Sequence, residues 1–378
     1  MLRANIAGHG FCVIEWKNGR ISGIEDLGTI RPGEPYGSPG LVDLQINGIA
    51  GVDFGAPDLT PQDVIRVLDP IWGTGVTTFC PTVITNTLAS LCRSFRVLEE
   101  ARGLSEEFAA SVPCYHLEGP YLSAGNSRGA HNPEWMRDPC DGEFAALQEA
   151  AGGRIGVVTI APERTGAEAF IKKWSDAGVI FAIGHTDCEA ADIERAVKAG
   201  AKLSTHLGNG CPQFIHRHRS PIWAQLASDR LAASLICDGF HLTPQFTRVA
   251  YRLKGRENTI LITDSTHVNG LVPGAYRLGG MPVQLHESGR VDALGNPGSL
   301  AGSTLRLDRA VAQLAKAVDV SLHEAILAAS RNPARLLGSS DVCALIEIGN
   351  WANLMVFQPG QDGMKILKTY LRGEPVWP

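Results

Sequence analysis

Short apolar runs alternate with amphipathic stretches through the middle of the chain, and this alternation constrains the fold more than any other feature. Helical periodicity appears at residues 60–72, 86–101, 167–177, 189–199 and 244–253, between eight apolar runs at residues 41–47, 75–84, 112–117, 155–160, 179–184, 202–205, 231–237 and 259–263. Repeated strand–helix units indicate a parallel sheet, and eight of them suit a closed (β/α)₈ TIM-type barrel better than an open doubly wound sheet. The absence of a GxGxxG sequence after the first run and of a P-loop sequence weakens a nucleotide-binding interpretation.

The two ends of the chain have a different pattern from the middle. Residues 11–16 and 21–24 flank an Asn18-Gly19 dipeptide, which is a strong hairpin signal. Residues 352–357 and 364–371 have the same strand-like character. We therefore predict a small β-sandwich domain formed by residues 1–39 and 340–378, and a (β/α)₈ catalytic barrel over residues 40–339.

Composition excludes several classes of partner. The 378 residues carry a formal net charge of -5, so the chain has no basic field suited to nucleic acid. Its apolar stretches all fall short of the ~18–20 residues that a membrane span needs. The nine cysteines are odd in number and include no CxxC pair. This usage is typical of a reducing compartment, so we expect a cytoplasmic protein.

Metal-capable or acidic residues follow several of the apolar runs directly. They are Glu118, His185, His206 and Asp264. In a barrel, the carboxyl ends of all strands meet at one face, which is where active sites lie. Two histidines and a carboxylate are a common zinc ligand set that leaves a position open for water. Taken singly, either histidine could be structural, Glu118 could be a turn acid and Asp264 could be a helix cap. All four are in phase with the strands, however, which favours a shared site.

Nine motifs in the chain resemble those of the N-acetylglucosamine-6-phosphate deacetylases, a family of the amidohydrolase superfamily. They occur in family order over nearly the whole chain: GLVDLQING at 40–48, HLEGPY at 116–121, GAHNP at 129–133, GHT at 184–186, THLGN at 205–209, DGFH at 238–241, TDS at 263–265, LAGS at 300–303 and NPAR at 332–335. The resemblance implies the barrel and the small β domain that the apolar pattern also predicts.

The resemblance also implies roles for individual residues. Glu118, His185 and His206 would hold one divalent metal ion, with zinc preferred and iron or another metal as the alternative. Asp264 would act as general base and then as general acid, and His131 would stabilise the oxyanion. Substrate contacts would come from the remaining matching positions, which are Asn209, Gly210, His241 and Ala301.

Two departures from the family pattern bear on these roles. Many amidohydrolases have His-x-His after the first strand, where this chain has Gln45-Ile46-Asn47. Since amides are weak zinc ligands, we expect a vestigial second-metal position and one bound metal. The phosphate-binding arginine that the family supplies from a neighbouring subunit corresponds to Arg217 or Arg219, although the acid that usually follows is missing. The resemblance thus implies a homodimer, while a solvated basic loop remains the alternative.

Together these features predict a hydrolase of linear amides that removes the acetyl group of N-acetylglucosamine-6-phosphate. The alternatives are an amidohydrolase for a related N-acyl substrate or a catalytically silent scaffold. The related substrates include N-acetylgalactosamine-6-phosphate, an unphosphorylated N-acetylhexosamine and an N-acyl amino acid. A silent scaffold would be expected to lose ligands, yet Glu118, His185, His206 and Asp264 are all present.

Overall fold

The computed structural model describes residues 1–296, 298–339, 342, 344–360 and 363–378. Cys343, one of the nine cysteines, and the predicted domain limit at residue 340 lie outside these residues. The strands are β1 Leu2–Ile6, β2 Gly10–Lys17, β3 Arg20–Asp26, β4 Tyr36–Pro39, β5 Leu41–Ile46, β6 Gly48–Ile49, β7 Val52–Asp53, β8 Val76–Ile84, β9 Tyr115–Glu118, β10 Ile155–Ile160, β11 Ile180–Ile183, β12 Leu203–Ser204, β13 Ala232–Leu235, β14 Thr259–Leu261, β15 Gly274–Leu278, β16 Met281–Leu285, β17 Val291–Ala293, β18 Leu354–Gly360, β19 Gly363–Leu371 and β20 Glu374–Trp377.

The helices lie mainly between the strands of the central barrel. They are α1 Pro61–Arg66, α2 Leu68–Trp72, α3 Leu88–Leu104, α4 Glu106–Ser111, α5 Asp141–Ala150, α6 Ala167–Asp176, α7 Ala190–Ala199, α8 Pro221–Ala227, α9 Pro244–Asn258, α10 Leu307–Val318, α11 Leu322–Leu327 and α12 Arg331–Leu337, with short 3₁₀ turns at Asn126–Arg128 and Pro133–Trp135. None of the described helices is both long and apolar enough to cross a membrane.

The barrel is an eight-stranded parallel sheet in the order β5-β8-β9-β10-β11-β12-β13-β14. Its two edge strands meet just beyond their carboxyl ends, where the Asn47 N–H donates to the Ser265 carbonyl at 2.7 Å and the Asp264 N–H donates to the Gln45 carbonyl at 2.9 Å. All residues of β5, β8, β9 and β11 are buried, as expected for strands covered on both faces. Each of the eight runs overlaps one of these strands, so the predicted barrel is confirmed.

The first predicted helix, over residues 60–72, is divided into α1 and α2. It begins with a capping box in which the Thr60 hydroxyl accepts from the Asp63 N–H and the Asp63 carboxylate accepts from the Thr60 N–H, each at 3.2 Å. The division has a local cause, because Pro70 has no N–H to donate to the carbonyl of Arg66, four residues earlier.

The strands of both termini form one seven-stranded sheet in the order β20-β19-β18-β4-β1-β2-β3, which confirms the small β domain. Asn18 and Gly19 turn the chain between β2 and β3 with φ angles of 52° and 75°. A Cβ at Gly19 would lie 2.8 Å from the Arg372 carbonyl oxygen, so this turn requires glycine. The limit predicted at residue 39 falls between β4 and β5.

A three-stranded antiparallel sheet, β15-β16-β17, follows the last barrel strand and has no counterpart in the sequence prediction. Its own small core includes Leu278, Val283 and Val291, and this core packs against Ile84 at the end of β8. The insertion therefore stands over the carboxyl-end face of the barrel.

Candidate active site

Three buried side chains from separate strands converge at the carboxyl-end face of the barrel. Glu118 ends β9, while His185 and His206 lie two residues beyond the ends of β11 and β12. The Nε2 atoms of the two histidines are 3.0 Å apart and lie 3.3 and 3.1 Å, respectively, from Glu118 Oε1. The structure thus brings together the three residues that the strand-end pattern singled out.

Backbone conformation directs these side chains towards one another. His185, His206 and Asp264 have φ angles of 49°, 31° and 49°, in the left-handed region that residues other than glycine seldom adopt. Such strain persists where surrounding structure enforces it, and it concentrates at functional sites. Here the His206 N–H donates to the Ser234 hydroxyl at 2.8 Å, which holds the turn after β12 in place.

The three residues fit a divalent metal ion. His185 Nδ1 is 2.9 Å from the Ser127 carbonyl, and donation to that oxygen leaves the Nε2 lone pair free. Tetrahedral zinc, with ligands at about 2.0–2.1 Å, holds its donor atoms roughly 3.3 Å apart, close to the separations found here. Burial alone would raise the pKa of Glu118, but interactions with the adjacent imidazoles of His185 and His206 outweigh it and hold the pKa well below its usual value. An ionised carboxylate is the form that binds metal.

Asp264 lies beside this cluster, at the carboxyl end of β14. Burial and the nearby negative charge of Glu118 raise its pKa to about 6. Its Oδ1 atom accepts hydrogen bonds from Asn47 Nδ2 at 2.6 Å and Gln45 Nε2 at 3.1 Å. A carboxylate with a raised pKa in a cleft is suited to general acid–base chemistry near neutral pH.

His131 approaches the cluster from the loop after β9. Its Nε2 atom is 3.8 Å from Glu118 Oε2, and its Nδ1 atom is 2.8 Å from the Thr85 hydroxyl. Burial, reinforced by the neighbouring His185, lowers the pKa of His131 to about 3. The ring is therefore neutral at physiological pH and can donate from only one nitrogen.

A cavity of about 450 Å³ opens above these groups, a size in the usual range for small-molecule sites. It is lined by His131, Asn209, Gly210, His241 and Asp264, all of which the sequence analysis had proposed. The remaining proposed substrate position, Ala301, is buried behind the wall, and its neighbours Leu300 and Gly302 line the cavity instead.

The arginines proposed for phosphate lie elsewhere. Arg217 and Arg219 are exposed and are not among the described residues that line this cavity. Arg290, which the sequence analysis missed, does line it. Its Nε donates to Asp292 Oδ1 at 2.6 Å. Arg290 precedes a strand of the unpredicted insertion and follows no barrel strand, so the strand-end pattern could not have found it.

His116 shows how a histidine next to a site residue can have a structural role. Its Nδ1 is 3.2 Å from the Leu44 carbonyl and its Nε2 is 2.8 Å from the Thr159 hydroxyl. Burial lowers its pKa to about 4, so it is neutral. Both ring nitrogens are occupied within the barrel, and neither is available to a ligand.

A (β/α)₈ barrel with this rim of histidines and carboxylates defines the class of metal-dependent hydrolases. The chain belongs to the amidohydrolase family, whose family model matches residues 38–376. It is a hydrolase acting on linear amide bonds, and the resemblance inferred from the motifs is confirmed.

Named relatives place the chain more closely within the family. It is 33% identical over 376 residues to N-acetylglucosamine-6-phosphate deacetylase of Bacillus subtilis, covering 94% of this chain and 92% of the relative. It is 32% identical to the human enzyme of the same name over 349 residues, covering 90% and 83% of the two chains. Among solved structures, a variant of the Mycobacterium smegmatis deacetylase in complex with N-acetyl-D-glucosamine-6-phosphate superposes with a TM-score of 0.88 at 29% identity, covering 100% and 98% of the chains.

Proposed function

We propose that the protein hydrolyses the N-acetyl amide of N-acetylglucosamine-6-phosphate to glucosamine-6-phosphate and acetate. The observation that carries this proposal is the convergence of Glu118, His185 and His206 beside Asp264 at the barrel rim. The named activity of the relatives supports the choice of substrate.

Glu118, His185 and His206 would hold one divalent metal ion. We propose zinc, with iron as the alternative, because imidazole and carboxylate ligands suit both. When bound, the ion supplies a Lewis acid that lowers the pKa of water and polarises the carbonyl group. The chain's own residues supply the remaining chemistry.

Asp264 would move the proton in this reaction. With a pKa near 6 it is ionised at neutral pH, so it can take a proton from the attacking water. It would then deliver that proton to the nitrogen as the amine leaves, and such acid–base catalysis contributes about 10²–10⁴ in rate.

His131 would stabilise the carbonyl oxygen as negative charge develops on it. Its ring is neutral, so Nε2 can donate only if Nδ1 carries no hydrogen. The Thr85 hydroxyl beside Nδ1 can supply the donor that favours this tautomer. An oxyanion donor of this kind is worth about 10²–10³ in rate.

The sugar and its phosphate would occupy the outer part of the cavity, against Asn209, Gly210 and His241. His241 Nδ1 lies 2.6 Å from Asp238 Oδ2, which fixes the ring orientation. In place of the Ala301 side chain, we propose that the adjoining Leu300 and Gly302 border the sugar.

We also propose a homodimer in which Arg217 reaches the phosphate in the partner's cavity. Arg217 is exposed and lies outside its own cavity, and Phe214 in the same loop is 93% exposed. An aromatic side chain so exposed is suited to burial between subunits. The cytoplasmic location remains a prediction from cysteine usage.

Acetate release from a panel of N-acyl compounds tests the proposed function. The panel contains N-acetylglucosamine and N-acetylgalactosamine, each with and without a 6-phosphate, together with an N-acetyl amino acid. We expect the highest kcat/KM for N-acetylglucosamine-6-phosphate. Preference for the amino acid would favour the alternative amidohydrolase, and no acetate release by metal-loaded protein would favour the silent scaffold.

The variant Asp264→Asn separates metal binding from proton transfer. We expect it to retain about one metal ion per chain and to lose at least about 10²-fold in kcat. Turnover at the wild-type rate would show that the proton-transfer role is assigned to the wrong residue.

A further inference from the structure

Two amide side chains from the first barrel strand form a network with the site's carboxylates. Gln45 and Asn47 are two residues apart and therefore point to the same face of the chain. They are only 2% and 3% exposed, deep in the barrel mouth. Gln45 Nε2 lies 2.9 Å from Glu118 Oε1 and 3.1 Å from Asp264 Oδ1, and Asn47 Nδ2 lies 2.6 Å from the same Asp264 oxygen.

Hydrogen-bond chemistry determines which way these amides point. An ionised carboxylate only accepts hydrogen bonds, so the nitrogen of each amide must face it. The Gln45 NH₂ group has two hydrogens and can give one to Glu118 and one to Asp264. It therefore lies between two buried like charges, where a donor offsets part of their repulsion.

The network leaves Asp264 with two different oxygen atoms. Oδ1 receives both amide donors, whereas Oδ2 accepts no hydrogen bond from any residue in the described part of the chain. Two donors on one oxygen fix the rotation of the carboxylate, so that Oδ2 is the atom available to a water or an amine in the cavity. A group held in its reactive orientation loses less entropy on reaching the transition state.

From this geometry we propose that Gln45 and Asn47 are positioning residues that hold Asp264 for proton transfer, and not merely the remnant of a second metal site. The proposal rests on the proposed deacetylase function for its kinetic consequences. Among the described residues, the Asn47 amide donates only to Asp264, whereas Gln45 also contacts the proposed ligand Glu118. The opposite atom, Asn47 Oδ1, is buried without a partner among the described residues. Bound water or substrate would satisfy it.

Isosteric and non-polar replacements at position 47 separate donation from packing. Asn47→Leu fills similar space without a donor. Asn47→Asp keeps the shape but places a second carboxyl group against Asp264, and two carboxyl groups this close share one proton. Loss of a hydrogen bond to a charged group predicts a fall in kcat of about ten- to a hundredfold for Asn47→Leu, with KM within about threefold of wild type.

We expect Asn47→Asp to lose at least as much kcat as Asn47→Leu, because a proton shared between the two carboxyl groups makes Asp264 a weaker base. If Asn47→Leu kept the kcat and Tm of wild type, the amide donor would not be needed to position Asp264 and the proposal would be wrong. Gln358→Leu, an exposed amide on β18, is the matched control and should leave kcat, KM and Tm unchanged.

Metal content distinguishes the two amides. We expect Asn47→Leu to retain about one metal ion per chain, whereas Gln45→Met should lower metal affinity as well as kcat because it also frees Glu118. Equal loss of metal in both variants would contradict the separate contacts described above.

Crystal structures of wild type and Asn47→Leu test the positioning without reference to activity. We expect the Asp264 carboxylate to rotate away from its wild-type orientation in the variant. An unchanged Asp264 would overturn the inference even if the protein proved to be a deacetylase. Failure of the wild-type protein to release acetate would instead refute the proposed function and leave this structural test standing.

Discussion

The hydrogen bond between Thr85 and His131 gives a prediction that can be worked through in detail. The Thr85 hydroxyl is 2.8 Å from His131 Nδ1 and 3.4 Å from the Glu118 carbonyl oxygen, so its one hydrogen is better placed for the ring. Because the pKa of His131 is about 3, the ring carries a single N–H at neutral pH. Donation from Thr85 to Nδ1 places that N–H on Nε2, towards the cavity.

Thr85→Val removes the hydroxyl while nearly preserving the side-chain shape. A neutral hydrogen bond is worth about 0.5–1.5 kcal/mol, and each 1.36 kcal/mol changes a rate tenfold. The expected fall in kcat is therefore about 2- to 13-fold, well below the roughly 10²–10³-fold expected for His131→Ala. Little change in KM is expected, because the effect concerns the oxyanion and not the bound sugar.

Steady-state acetate release measures both constants, and Thr85→Ser is the matched control because it keeps the hydroxyl. Thr85 is packed closely, with its Oγ1 only 2.2 Å from where a Cβ at Gly119 would lie. Thermal unfolding of each variant is therefore needed to exclude a packing defect. A Thr85→Val enzyme with wild-type kcat, or a Thr85→Ser enzyme equally impaired, would refute the tautomer argument.

Three further predictions address the metal, the dimer and the buried Asp43 on β5. Removal of the metal with a chelator should abolish turnover and lower Tm. Added zinc should restore both in wild type but not in Glu118→Gln. Turnover by the metal-free protein would contradict this prediction. Arg217→Met should lower kcat/KM for the phosphorylated substrate. If Arg217 acts across the dimer, mixing this variant with Asp264→Asn subunits should restore activity, because a mixed dimer contains one site with both residues intact. No restoration would argue against that arrangement. Burial raises the pKa of Asp43 to about 7 from an unfolded value of 3.8, so the folded state binds the proton more tightly. The contribution of Asp43 to stability should thus fall by about 2 kcal/mol between pH 5 and 7, and urea unfolding of Asp43→Asn should lack this decrease. Identical pH profiles of the two proteins would contradict this prediction.

The barrel and its rim were predictable because local pattern and topology determine them together. Apolar runs define the strands, and parallel closure brings Glu118, His185, His206 and Asp264 to one face whatever the intervening loops do. Asn209 and His241, which line the cavity, were predicted from the resemblance of their motifs to the family and not from the strand pattern.

The parts that were missed depend on contacts between segments far apart in sequence. The sheet β15-β16-β17 is a short meander whose core forms only against Ile84, so its strands carry a weak local signal. Arg290 reaches the cavity only because that sheet stands over the barrel. Likewise, the donation from Gln45 to both Glu118 and Asp264 depends on ring closure between β5 and β14, which periodicity alone does not reveal.

Anomalous X-ray diffraction from crystals of the metal-loaded protein tests the central claim most directly. The account requires one strong metal peak per chain, about 2.0–2.2 Å from a carboxylate oxygen of Glu118 and from the imidazole nitrogens of His185 and His206. A peak bound by other residues, or none at these three in a protein that releases acetate, would contradict it.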